Sequence, residues 1–296
     1  PPRQGRQESL MASASTRFDP ADQALLRQVR ALAEEAAQIG GEIARAAFSG
    51  NFTVRRKADG TEVTSADEDA QAAIVGFLRS RRADDAFITE EDSAPAGAGA
   101  PTPVTNDVLC WVIDPLDGTR NFVHGVPLYA VSVAAMFAGV PVVGAVYLPE
   151  RKELFSSGGP DGFLIDRRPP PPHPPLPPRS GGRPPKPLVG IPSSLQGGTN
   201  AVIQSWTGRV VIRNTGATAM HLAMLGAGQL QATLISDSRL WDIAAGWLLV
   251  TSTGGVMTAL DGRDLFPLDV SRYAGEAMPS LASANPELHA DLLPKP

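Results

Sequence analysis

Cysteine occurs once in the 296 residues, at Cys110, so no disulfide can form within the chain and folding must rely on a buried core. A lone thiol suits a reducing compartment, and the expected location is cytoplasmic. The sequence has no apolar run of about eighteen residues, which leaves no candidate for a membrane-spanning helix. A basic excess is also missing. Lys and Arg total 26 against 31 Asp and Glu, giving a formal charge of −5 and a pI near 5.4. No positive field is available to gather nucleic acid, and an anionic phosphate ligand would need a cation as intermediary. Residues 1–18 lack the apolar stretch of a signal peptide and read as a disordered leader, with Met11 a candidate native start.

What the chain does contain is 43% hydrophobic residues over a length that can build one large α/β domain or two lobes sharing a core. Asp19-Pro20 reads as a helix cap followed by proline at the first helical position. Leu25, Val29, Leu32, Ala36, Ile39 and Ile43 then recur at helical spacing. Residues 54–64 are polar around Asp59-Gly60, a hairpin or loop. A second helix is expected from Ser65, with Ile74, Phe77 and Leu78 inward and Asp67 in its first turn. Strands are expected at Phe87-Ile88 and Leu109–Ile113, separated by a Pro/Gly/Ala loop at 94–106. A meander follows over 129–137, 140–147 and 153–156.

Eleven prolines between 169 and 187 exclude a helix or central strand and favour polyproline II or disorder. Beyond them, strands near 188–191, 210–213 and 231–235 alternate with helices near 218–225 and 242–253. The expected organisation is an N-terminal α+β lobe over 19–166, a proline-rich loop over 167–187 and a C-terminal α/β lobe over 188–296. The two lobes are expected to form one catalytic unit.

Acidic residues stand at the ends of four of these elements. Trp111-Val-Ile-Asp114-Pro-Leu116-Asp117-Gly118-Thr119 places two carboxylates three apart between an apolar strand and a glycine turn. Asp67 opens a helix, Glu90-Glu91 closes a strand, and Asp242 opens another helix. A hard divalent cation such as Mg²⁺ needs oxygen ligands of this kind, and the Gly118 and Thr119 N–H groups offer an anion a place to dock. Taken one at a time, each has an ordinary structural explanation. Asp-Pro-Leu-Asp-Gly makes a turn, Asp242 caps a helix, Asp67 favours a helix dipole, and Glu90-Glu91-Asp92 is a solvated edge.

Their joint presence, in order, resembles the inositol monophosphatase family of magnesium-dependent, lithium-sensitive phosphatases. The likeness runs through Lys57–Asp67, Ile88–Glu91, Trp111–Gly125, and Leu240–Gly246 with Gly254-Gly255, spanning roughly residues 20–290. It implies a layered fold of alternating helices and sheets, of the inositol monophosphatase and fructose-1,6-bisphosphatase type, and a homodimer. It also implies two to three Mg²⁺ ions per site. Glu90, Asp114 and the Leu116 carbonyl would hold the first ion and Asp114, Asp117 and Asp242 the second, with Glu90 helping a third. Asp67 and Thr119 would orient and deprotonate a metal-activated water. Gly118 and Thr119 would meet the phosphate, with Gly216, Ala217 and Asp242 at the substrate.

The implied reaction is hydrolysis of a small phosphate monoester, inositol monophosphate first. Fructose 1,6-bisphosphate, histidinol phosphate and 3′-phosphoadenosine 5′-phosphate are alternatives, and a binding or regulatory protein that keeps the fold is the competing class. Two positions depart from the family pattern. Ala217 followed by Thr218 stands where some relatives have threonine directly after the glycine. Ile235, seven residues before Asp242, replaces a glutamate that serves the sugar hydroxyls, with Asp237 or Arg239 as candidate replacements. Outside this set, Cys110 is expected to be buried and inert and His124 to be structural.

Overall fold

The computed structural model describes residues 19–57, 60–91, 102–171, 185–195 and 198–294. Helix α1 (Gln23–Ala47) begins at Asp22, whose carboxylate accepts the N–H groups of Ala24 and Leu25 at 2.9 and 3.1 Å. The expected cap, Asp19, accepts from Ala21 instead. It lies too far from the first helical turn to reach its orphan donors.

The face of α1 that is buried is also finer-grained than its leucines and isoleucines suggest. Leu26, Val29, Ala33, Ala36, Ala37 and Ala44 face inward, whereas Leu25 and Leu32 pack at the margin. Small residues win because the helix lies close to its neighbours: a Cβ on Gly41 would stand 2.3 Å from the Tyr147 ring.

A hairpin of β1 (Val54–Arg56) and β2 (Glu62–Thr64) leads directly into α2 (Ser65–Arg81). The first large sheet then forms in chain order from β3 (Ala86–Thr89), β4 (Cys110–Asp117), β5 (Ala130–Phe137), β6 (Val140–Leu148), β7 (Glu153–Ser157) and β8 (Leu164–Ile165). Strands β3 and β4 are parallel, and the remainder are antiparallel. A single turn of helix, α3 (Thr119–Val123), leaves β4.

The second sheet has the order β10-β9-β11-β13-β12, formed by β9 (Leu188–Gly190), β10 (Val211–Arg213), β11 (Ala232–Ile235), β12 (Val256–Ala259) and β13 (Ser280–Ser283). Helices α4 (Thr199–Ser205), α5 (Thr218–Gly226), α6 (Leu240–Thr251) and α7 (Pro286–Leu292) complete the fold.

These elements stack in alternating layers. Alternation along β4 sends Trp111 and Ile113 to α1 and α2, and Cys110 and Val112 to α5 and α6. The opposite side of α5 and α6, through Leu222, Leu225, Ile243 and Val250, covers the second sheet at Ile235, Met257 and Ala282. That sheet's outer face packs Val189, Leu234 and Leu281 against Val202 of α4, Trp206 just past its end and Leu292 of α7. The layered α/β architecture expected from the sequence is therefore present.

The leader, part of the loop at 94–106 and the proline tract between 172 and 184 lie outside the described residues. Among those described, no helix is long and apolar enough to cross a membrane.

Candidate active site

Strand β4 does not stop at Ile113. It continues through the acidic motif to Asp117, all eight of its residues buried, and its pairing with β5 shifts register between Asp114, opposite Ser132, and Asp117, opposite Ala130. In a regular strand, positions three apart face opposite sides. Here three steps along β4 match two along β5, and the extra residue returns Asp117 to the side that Asp114 already faces. Pro115, which has no N–H for the ladder, sits inside this irregularity.

Both carboxylates thus face the α5/α6 layer. There the Ala219 N–H donates to Asp117 Oδ2 at 2.6 Å, and Asp242 projects from the first turn of α6, accepting the Arg239 N–H. One carboxylate oxygen from each of Asp114, Asp117 and Asp242 lies within 4.8 Å of the others.

The parallel pairing of Thr89 with Ile113 brings Glu90 alongside Asp114, and the Glu90 N–H donates to the Ile113 carbonyl at 3.1 Å. Glu90 stands outside the three-carboxylate group, and its Oε1 receives Lys57 Nζ at 2.9 Å. The same ammonium reaches Glu91 Oε1 at 2.6 Å. Burial alone would lower the Lys57 pKa, but the two glutamates outweigh it and hold the amine charged.

Crowded acids behave in the opposite way. Burial, then the charges of Glu90, Asp242 and Asp117, push Asp114 well above the carboxylate range. Burial and Asp242 do the same to Asp117. Asp242 is pushed up to about 7, by burial and then by Glu90.

Asp67 arrives from a different layer. As the third residue of α2 it closes a capping box: Oδ2 accepts the Thr64 N–H at 2.8 Å and the Thr64 hydroxyl at 2.5 Å. Oδ1 remains for Thr119, whose hydroxyl lies 3.0 Å away and also 3.0 Å from the Leu116 carbonyl oxygen. Burial pushes Asp67 up to about 6 despite the Thr64 hydrogen bonds, which lower it. Gly118 takes φ 96 between the strand and α3, and Ala217 packs against it.

The arrangement is an all-oxygen donor set, and Asp114 Oδ2 is buried with no hydrogen-bond partner. Buried carboxylate oxygens are ordinarily satisfied, and a cation satisfies such an atom while relieving the repulsion around it. The residues present therefore fit a hard divalent metal.

Ile235 is 1% exposed and packs into the core among Leu222, Leu225 and Ile243, so it contributes no surface to the site. Of the two candidate replacements, Asp237 is exposed and accepts the Ser236 hydroxyl at 2.9 Å. Arg239 bonds the Gly275 carbonyl and lies over the Trp241 ring. Cys110 is buried, and burial pushes its thiol up to about 12. His124 is an exposed residue at the end of α3. Sequence reasoning assigned no role to Thr64, Asn121 or His221. Thr64 had a signal in its spacing from Asp67, whereas the other two had none.

Comparison with known proteins identifies the family. The inositol monophosphatase family model matches residues 25–295. An inositol-1-monophosphatase of Mesorhizobium japonicum is 32% identical over 223 residues, which cover 72% of this chain and 77% of that one. A Salmonella typhimurium protein named Nus factor SuhB is 31% identical over 223 residues, with the same 72% and 77% coverage. Among solved structures, the extragenic suppressor protein suhB from Bartonella henselae superposes with a TM-score of 0.73 at 25% identity, covering 90% of this chain and 96% of that one. Fold and comparisons together define a phosphoric monoester hydrolase of a metal-dependent class that acts on small phosphorylated substrates, with an acidic cluster here that could hold a metal. The chain belongs to the inositol monophosphatase family.

Proposed function

We propose that the chain hydrolyses small phosphate monoesters with Mg²⁺, two to three ions per site, and that inositol monophosphates are its leading substrates. The observation that carries this reading is the meeting of Asp114, Asp117 and Asp242 within 4.8 Å beside the Asp67–Thr119 hydrogen bond. Glu90, Asp114 and the Leu116 carbonyl would hold one ion. Asp114, Asp117 and Asp242 would hold a second, with Glu90 helping a third.

When bound, such ions supply Lewis acidity and neutralise charge on phosphate oxygens. Thr119 and Asp67 orient the attacking water and take its proton. A carboxyl pushed up to about 6 suits a base working near neutral pH. The backbone of Gly118 and Thr119 meets the phosphate, while Gly216, Ala217 and Asp242 bound the substrate. The lobes 19–166 and 188–296 act as one unit, a reading supported by the α5/α6 layer packing on both sheets. The working form is a lithium-sensitive homodimer in the cytoplasm.

The test is phosphate release from inositol monophosphate with Mg²⁺. Activity that survives chelation, or survives Asp114→Asn, would end the mechanism. The core position of Ile235 favours a second substrate reading, so the panel includes fructose 1,6-bisphosphate, histidinol phosphate and 3′-phosphoadenosine 5′-phosphate. A regulatory role draws support from the relative named Nus factor SuhB. It gains if the Mg²⁺-loaded chain turns over nothing in the panel and copurifies with a partner.

A further inference from the structure

We propose that His221 is a positioning residue for this site: its imidazole fixes the Thr215–Ala219 segment that anchors Asp117, and so sets the affinity for metal and phosphate. The inference rests on the phosphatase reading above.

His221 lies one turn into α5 and is 3% exposed. The Thr215 N–H donates to its Nε2 at 3.0 Å. A nitrogen that accepts a hydrogen bond carries a lone pair, so the ring proton of the neutral imidazole sits on Nδ1, which lies 3.4 Å from Thr233 Oγ1 on β11. Burial keeps the ring neutral by pushing its pKa down to about 4. The ring occupies a slot left by Gly190 on β9, where a Cβ would stand 3.1 Å from both Cγ and Nδ1 of the imidazole.

Thr215 is held at both of its backbone groups. His221 takes the N–H, and Asn121 Nδ2 from α3 donates to the carbonyl at 2.7 Å. Gly216 follows at φ 79, its N–H donating to Asn214 Oδ1 at 2.8 Å. Ala217 then packs on Gly118, and the Ala219 N–H reaches Asp117 Oδ2 at 2.6 Å. The imidazole thus holds the start of a segment whose far end supplies a hydrogen bond to a metal-cluster carboxylate. Asn121 ties the same segment to the helix that begins with Thr119.

A buried histidine that merely stabilises a turn would lower the melting temperature and leave ligand affinity alone. His289 is the matched control. It is buried in α7, with Nε2 3.0 Å from Thr258 Oγ1, in the layer beyond the second sheet. The experiment measures Mg²⁺ binding, inorganic phosphate binding to the Mg²⁺-loaded full chain, and hydrogen exchange at the Thr215 amide. In His221→Leu the amide loses protection, both affinities fall roughly tenfold, and KM rises more than kcat falls. His221→Gln, whose Oε1 can accept from the same N–H, stays within about twofold of wild type.

Should the Leu variant not fold, His221→Asn carries the same expectation, being polar but too short to reach Thr215. Wild-type affinities in the Leu or Asn variant after amide protection is lost overturn the proposal. So does an equal loss of affinity in His289→Leu. Phosphate release by the wild-type chain tests the underlying reading separately: its absence fails that reading, whereas release combined with unaltered variant affinities fails this one.

Discussion

The Thr119 hydroxyl lies 3.0 Å from Asp67 Oδ1, across 52 residues of sequence, and equally close to the Leu116 carbonyl oxygen. One hydroxyl proton can serve only one of two acceptors at a time, so the oxygen keeps lone pairs for a further donor such as water. Asp67 is in turn fixed by Thr64, so the pair is orientated before any substrate arrives. Asp67→Asn or Thr119→Ala should lower kcat by about 10² to 10⁴ while Mg²⁺ affinity changes only a few-fold. Steady-state kinetics with calorimetric Mg²⁺ titration separates the two quantities. Loss of metal binding parallel to loss of kcat would assign these residues to the metal site instead.

A cation would relieve the repulsion among the crowded carboxylates of Asp114, Asp117 and Asp242. Mg²⁺ should raise the melting temperature in proportion to the logarithm of its concentration above Kd, because it binds the folded state preferentially. Asp114→Asn should abolish that rise. It should also leave the metal-free chain at least as stable as wild type, since it removes one of several mutually repelling buried carboxylates. Thermal melts with and without Mg²⁺ check both signs.

His221 contributes a pH term of defined sign. Its pKa is pushed down from 6.5 to about 4, so the folded state favours the neutral ring, and the associated stability is fully present above pH 6.5. As pH falls from 6.5 through 4 the unfolded state takes up the proton first and that stability is lost, on the order of 3 kcal/mol in all. Urea melts of wild type and His221→Gln across this range should converge as pH falls, since the variant lacks the term. Parallel curves would contradict it.

Ile235→Glu should not restore a sugar-binding acid. The side chain would enter the core beside Leu222 and Ile243, leaving a buried charge unpaired and costing several kcal/mol. A drop in the urea midpoint with no gain in preference for inositol monophosphate is the expected outcome.

Cys110 should stay silent to a colorimetric thiol reagent in the native chain and react once denatured. It is buried, and its thiol is held protonated up to about pH 12.

The placement of most elements was legible in local pattern, and the layered fold came from the family resemblance. Alternation marked β5 to β7, and the start of α2 was marked at Ser65. Other elements were silent for physical reasons. Helices α4 and α7 have seven residues each, too few to show a helical period, and β13 is the unpatterned Ser-Leu-Ala-Ser. The inward face of α1 was legible only in part, at Val29 and Ala36, because alanine and glycine, carrying little hydrophobic weight, are what a close helix approach requires. At the site, the acidic residues were visible as types at element ends. Their meeting depends on the β3/β4 register and on the β4 irregularity, neither of which has a local signature. Lys57 between Glu90 and Glu91, and His221 beneath Thr215, are contacts between remote segments that no single stretch announces.

The irregularity in β4 makes strand geometry, as much as residue identity, a requirement of the Asp114–Asp117 interval. An unbroken ladder over the same residues would keep every carboxylate in the sequence, yet with Asp114 and Asp117 still three apart it would swing Asp117 toward the layer where Leu116 now meets Ala44, Ala66 and Phe122. A protein so altered would carry the full set of acidic residues with one of them aimed into an apolar cluster, so counting carboxylates in a relative says little unless the irregularity between them is intact as well.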